Sequence, residues 1–192
     1  MQRAPLIALL TDFGLSDPYV GQMKAVLACA APWATLLDVS HGVAMGDVAQ
    51  ASFFLAATLP WLPPGSVAAA VVDPGVGTAR RIIAAELDGR FVLAPDNGLL
   101  TLALARAEAV RAYDATPHLA PASATFHGRD VFAPLAARLA AGDAIEALGP
   151  GVPRESLVEL PGLSAERRGE TVTARVLSVD VFGNVVTSCD VE

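Results

Sequence analysis

The stretch Ser66-Val67-Ala68-Ala69-Ala70-Val71-Val72-Asp73-Pro74-Gly75-Val76-Gly77-Thr78 decides the fold. Its first half is a short apolar run without polar alternation, the pattern of a strand buried on both faces. It then stops at an acid and a glycine-bearing turn. Two other runs repeat the design. Pro5 to Leu10 ends in Thr11-Asp12-Phe13-Gly14, and Arg90 to Ala94 ends in Pro95-Asp96-Asn97-Gly98. In an open, mostly parallel sheet, ligands sit beyond the carboxyl ends of the strands. Asp12, Asp73 and Asp96 therefore predict one polar pocket at that edge. The competing explanation is that Asp is common in turns and helix caps.

Outward from these strands, the chain alternates between strand and helix signals. Ser16 and Asp17 before Pro18 predict an N-cap and an early helix proline, with a helix over Tyr19 to Cys29. Ala34 to Val39 reads as a strand. Asp47 predicts the cap of a second helix running to Thr58, which Pro60, Pro63 and Pro64 end. Asp88-Gly89, between Arg81–Leu87 and Arg90–Ala94, is a strong hairpin signal. Leu99 to Ala107 reads as a helix, Ala109 to Tyr113 as a strand and Phe132 to Ala141 as a helix, with Gly142 at C′. Gly149 to Gly169 is rich in Pro and Gly and reads as a linker or surface loop. Thr171 to Val179 alternates like a strand and differs in texture from what precedes it. The fold class is α/β, with an N-terminal, mostly parallel sheet flanked by helices over residues 1–165 and a β region over 170–192.

Composition narrows the function. Of 192 residues, 53% are hydrophobic and 17% charged, which excludes a disordered chain. The net charge is -7 and the one lysine is Lys24, so no basic face is available for nucleic acid. No stretch has the length of an uncharged membrane span, and the short run Pro5–Leu10 lacks a signal-peptide pattern. Cys29 and Cys189 lie far apart without CxxC spacing and read as free thiols in a reducing, cytoplasmic compartment.

Two turns carry candidate chemistry. Asp73 and Arg80 share one, and Thr125-Phe126-His127-Gly128-Arg129-Asp130 forms the other. A carboxylate, a guanidinium and an imidazole together can polarise a water. From the residues alone a plainer account stays open, in which Asp130 caps the following helix and His127 is a surface loop residue. No metal is expected. His41 with Asp38 and Asp47, or His127 with Asp130, lacks the HxH, HExxH or CxxC spacing of a ligand set. Walker A, GxGxxG and GxSxG motifs are absent.

Five ordered motifs carry a resemblance. They are Thr11-Asp12-Phe13-Gly14 with Asp17-Pro18-Tyr19-Val20-Gly21-Gln22-Met23-Lys24; Val72 to Thr78 with Arg80-Arg81; Pro95 to Gly98; Thr125 to Pro134; and Asp180-Val181-Phe182-Gly183-Asn184-Val185-Val186-Thr187. In these the chain resembles the S-adenosyl-L-methionine (SAM) hydroxide adenosyltransferases, relatives of fluorinase and chlorinase. The resemblance implies hydrolysis of SAM to adenosine and L-methionine, with water or hydroxide attacking ribose C5′, and no cofactor. It implies that Asp73, Arg80 and a protonated His127 hold the nucleophile. It implies that Asp12 binds the ribose hydroxyls, Asp180 the methionine amino group and Asn184 the adenine edge, with Phe126 and Phe182 as apolar walls. The halogenating relatives carry Tyr, Thr and Ser where Asp73, Val76 and Gly128 stand, so the water-using branch is implied. The resemblance also implies a homotrimer, with the pocket between one subunit's first domain and a neighbour's second. The second domain in that family is a small β-barrel, and residues 170–192 would be its start, most of it being absent. An alternative follows from that expectation: an oligomeric module that binds adenosine or SAM without turnover.

Overall fold

The structure is a computed structural model that describes residues 5–119 and 125–189. Six strands form one sheet. They are β1 (Leu6–Thr11), β2 (Thr35–Ser40), β3 (Val67–Val71), β4 (Ile82–Leu87), β5 (Arg90–Pro95) and β6 (Val110–Asp114), in the order β2-β1-β3-β5-β4-β6. The pairs β2/β1, β1/β3 and β3/β5 are parallel, whereas β5/β4 and β4/β6 are antiparallel. The sheet is therefore mixed, with three of its five pairings parallel. The hairpin at Asp88 (φ +49°) and Gly89 (φ +76°) turns the chain back on itself and reverses its direction.

The strands β1, β3, β4 and β5 are almost wholly buried because helices cover both faces. Alternate residues divide between two cores, as the two-residue period of a strand requires. Ala8, Leu10, Ala68, Ala70, Ala85 and Val92 face α2 (Val48–Thr58) and α3 (Thr101–Arg106). Ile7, Leu9, Val67, Ala69, Val71, Ala84 and Leu93 face α1 (Tyr19–Ala30) and α4 (Ala133–Ala140). The small alanines of β3 let both helix layers pack close to the sheet centre.

Local details refine the expectations. Asp47 caps α2, its Oδ1 accepting from Gln50 N at 3.0 Å. No side chain caps α1; Pro18 itself occupies the N-cap position, in place of Ser16 or Asp17. Before α4, residues Gly128–Phe132 form a π-helical turn, with Ala133 N–H bonded to Gly128 O. Asp130 lies inside that turn and pairs with Arg129 at 2.6 Å, so it is not a cap.

The C-terminal region holds two small antiparallel pairs: β7 (Glu166–Arg168) with β8 (Thr171–Thr173), and β9 (Val176–Val179) with β10 (Val185–Thr187). Glu166–Arg168 was expected within a linker, and Thr171–Val179 as one strand. Pairing across the Gly169-Glu170 turn instead makes β7 and β8 a hairpin, and Ala174-Arg175 separates β8 from β9. Leu177 and Leu163 pack on Ala49 of α2, which joins this region to the first. Residues 190–192 of the expected second unit lie outside the described residues. No helix among the described residues is long and apolar enough to cross a membrane.

Candidate active site

The parallel strands β1 and β3 run in register, Thr11 opposite Val71, so the turns that follow them leave the sheet side by side. This places Asp12 on one turn and Asp73 on the next. The link between them is explicit: Gly46 N–H donates to Asp12 Oδ2 at 2.8 Å, and a Cβ built on Gly46 would lie 3.6 Å from Pro74 Cβ. The turn that bears Asp12 is itself braced. Phe13 N–H donates to Thr11 Oγ1 at 3.2 Å, Thr11 Oγ1 bonds His41 Nδ1 at 2.8 Å, and Gly14 N–H donates to His41 O at 2.8 Å. His41 Nε2 lies 3.1 Å from Asp38 Oδ1, and Asp38 Oδ2 pairs with Lys24 at 2.6 Å. His41 is thus a buried brace for the turn that bears Asp12. Among the described residues no group of three His, Cys, Asp or Glu side chains is placed to hold a metal.

The expected reactive trio comes together. Arg80 Nε donates to Asp73 at 2.7 Å and Nη2 donates to the same carboxylate. Arg80 Nη2 is also 2.7 Å from His127 Nδ1. Both members of the Asp73–Arg80 pair are buried, with side chains 5% and 8% exposed. A guanidinium nitrogen only donates, so His127 Nδ1 is the acceptor and the ring proton sits on Nε2. The protonated His127 of the sequence expectation does not fit this contact. Arg80 Nη1 is buried and has no acceptor among the described residues. A buried guanidinium donor without a partner is costly and rare outside functional sites.

Phe126 closes the third side. Its ring lies 5.7 Å from Phe13 and 5.2 Å from Tyr19, both edge-on. Arg129 stacks on its face at 5.0 Å and donates to Gln22 of α1 at 3.0 Å, which ties this loop to the first helix. Gly128 is needed for close approach: a Cβ there would lie 3.0 Å from Phe13 and 3.2 Å from Phe126. Asp12, Phe13, Asp73, Arg80, Phe126 and His127 therefore stand on neighbouring loops at the carboxyl edge of the sheet.

Three predicted site residues are placed elsewhere within this chain. Asp180, Phe182 and Asn184 form the β9–β10 turn. Asp180 accepts from Phe182 N at 2.9 Å, from Asn184 N at 2.8 Å and from Asn184 Nδ2 at 2.7 Å. The Asn184 side-chain bond, then its backbone N–H, hold the Asp180 carboxyl below its ordinary range. Phe182 is 87% exposed. Asp96, the third strand-end acid, is occupied by Arg81 at 2.6 Å and by Val158 N at 2.9 Å. A separate cleft of about 1110 Å³ lies between α3, residues 159–165 and β10, and holds none of Asp12, Asp73, Arg80 or His127. Sequence reasoning gave no bracing role to Thr11, His41 or Gly46, whose links Thr11–His41 and Asp12–Gly46 span 30 or more residues.

Comparison with known proteins identifies the family. A profile of the SAM hydroxide adenosyltransferase N-terminal domain matches residues 7–149. The (R)-S-adenosyl-L-methionine hydrolase of Thermus thermophilus is 48% identical, the match covering 95% of this chain and 73% of that protein. The (R)-S-adenosyl-L-methionine hydrolase of Salinispora arenicola is 47% identical, covering 96% and 72%. A crystal structure of an uncharacterized conserved protein from Thermotoga maritima superposes with a TM-score of 0.86 at 37% identity, covering 94% of this chain and 70% of that one. On these grounds the chain belongs to the SAM hydroxide adenosyltransferase family.

Proposed function

We propose that this protein hydrolyses SAM to adenosine and L-methionine, with Asp73, Arg80 and His127 as the catalytic residues. The observation that carries the reading is the buried Arg80 guanidinium. Asp73 and His127 hold its other edge, and Nη1 is left as a donor without a protein acceptor. The new O–C5′ bond forms as the C5′–S bond breaks, and its electron pair returns to sulfur as the methionine thioether. The attacking water gives its proton to solvent. Sulfur leaves as a neutral thioether, so no acid is needed there. The barrier lies in bringing a poorly solvated oxygen into line with C5′. A donor preset on that oxygen contributes about 10²–10³-fold in rate. Asp73 fixes the fork of Arg80, and neutral His127 keeps Nη2 from turning away.

Asp12 is the proposed ribose ligand. Gly46 holds Oδ2, and Oδ1 has no hydrogen-bond partner among the described residues, so it can accept from a vicinal diol. Phe126 is proposed as an apolar wall. Residues 170–192 are proposed as the start of a second β domain that contributes Asp180, Phe182 and Asn184 to a neighbouring subunit in a cytoplasmic homotrimer. Exposed apolar side chains on both partners support this: Leu15 and Met45 beside the site loops, Val181 and Phe182 on the hairpin.

The test is incubation with SAM and chloride, followed by chromatography. Adenosine and methionine in equal amounts, with Asp73→Asn and His127→Ala slowed at least about 10²-fold, are the expected result. A 5′-chloro nucleoside would assign the halogenating branch. Adenosine binding by calorimetry without any product would leave a binding module.

A further inference from the structure

The Asp73–Arg80 pair spans a loop, Asp73 to Arg80, with the two reactive side chains at its two ends. Inside the loop the ties are short turns: Val76 N to Asp73 O at 3.2 Å, Thr78 N to Gly75 O at 3.1 Å, and Thr78 Oγ1 to the same carbonyl at 2.7 Å. Gly75 and Gly77 give it little stiffness of its own. Its ends are fixed from outside, and both by one turn.

Asn97 Nδ2 donates to the carbonyl of Val72 at 2.9 Å, one residue before Asp73. Asp96 Oδ2 accepts from Arg81 Nε at 2.8 Å, one residue after Arg80, and Asp96 N donates to Arg81 O at 3.0 Å. The turn itself is rigid. Asn97 Oδ1 accepts from Leu99 N at 3.2 Å, and the Asp96 side chain is 5% exposed. Asp96 Oδ1 also accepts from Val158 N at 2.9 Å, and Arg81 Nη2 donates to Ser156 O, so the connector toward β7 is tied to the same point.

We infer that Asp96 and Asn97 are positioning residues that bracket the loop between Asp73 and Arg80 and set the separation of its reactive ends. This rests on the proposed roles of Asp73 and Arg80. Asp96 and Asn97 bond to Arg81, Val158, Val72 and Leu99, not to the proposed ribose ligand Asp12. Their effect should therefore fall on the chemical step and not on nucleoside binding. A displacement on the order of 1 Å costs about 10²-fold when the reacting geometry is tight.

The test uses the full chain with Asn97→Ala, Asp96→Asn, Arg81→Ala and the double variant Asp96→Asn/Arg81→Ala. The expected result for Asn97→Ala is a kcat lower by about 10- to 100-fold, with KM for SAM and adenosine affinity within about twofold of the parent. The double variant should fall no further than the worse single variant, because the two residues form one clamp. Melting curves and calorimetric site counts give kcat per folded site. A parental kcat in Asn97→Ala, beside an inactive Asp73→Asn, would overturn the bracket alone. So would a loss that tracks folded fraction or moves KM equally. Normal turnover in Asp73→Asn would bring down the catalytic reading and the bracket with it.

Discussion

Arg80 has five N–H donors in a fixed plane, and the fold uses them on two faces at once. Asp73 takes the Nε edge and His127 takes Nη2. Lysine has no such fork, so Arg80→Lys cannot hold both neighbours and still present a donor to a third group. The expected outcome is a fall in kcat of about 10²-fold or more with KM nearly unchanged, read by steady-state kinetics. Asp180 makes a second residue-scale prediction. Its lowered carboxyl pKa comes first from the Asn184 side chain. A carboxyl lowered in the folded state adds stability above its ordinary pKa, and that stability is lost as pH falls through the lowered value. Asn184→Ala should therefore move the Asp180 titration upward toward the ordinary carboxylate range, as followed by NMR. An unmoved titration would show that the backbone donors alone hold it.

The turns at the carboxyl edge depend on elements that brace one another. Thr11, at the end of β1, connects the Asp12 turn to buried His41. Thr11→Val keeps the side-chain shape but removes the hydroxyl, leaving a buried ring nitrogen and the Phe13 N–H without partners. Weaker adenosine binding is expected, by about tenfold, with Thr11→Ser restoring most of it; calorimetry measures both. At the far edge of the sheet, Gly149 lies against β6. A Cβ there would sit 1.9 Å from the carbonyl oxygen of Asp114. That oxygen belongs to a backbone held by the sheet and by Asp114 N to Pro150 O at 2.8 Å, so it cannot yield cheaply. Gly149→Ala should cost about 1–3 kcal/mol by overpacking, seen as a lower melting temperature, while turnover per folded site is unchanged.

Across the whole molecule, two cores stabilise the sheet, and the β9–β10 hairpin rests on α2 through a small third cluster around Leu177 and Leu163. The β9–β10 hairpin then turns Val181 and Phe182 outward, 94% and 87% exposed. Apolar side chains this exposed on one turn are costly in water, which is what the proposed contact between subunits would relieve. Phe182→Glu should lower the oligomeric state in sedimentation and reduce turnover together. Loss of neither would place this hairpin outside any functional interface.

The sequence alone determined which segments enter the sheet, because burial on both faces demands unbroken apolar runs such as Ser66–Val72. It also marked the strand-end acids, the Asp88-Gly89 hairpin and the Asp47 cap, since turns and caps are local chemistry. Tertiary structure alone decided which partner each acid meets. Asp12, Asp73 and Asp96 follow strands in the same way. Only long-range pairing assigns Asp96 to Arg81 and Val158, and leaves Asp73 to Arg80. It also decided that His127, 47 residues away, accepts from Arg80. Hydrogen bonds between residues far apart in the chain have no periodicity along it, so no pattern in the sequence announces them.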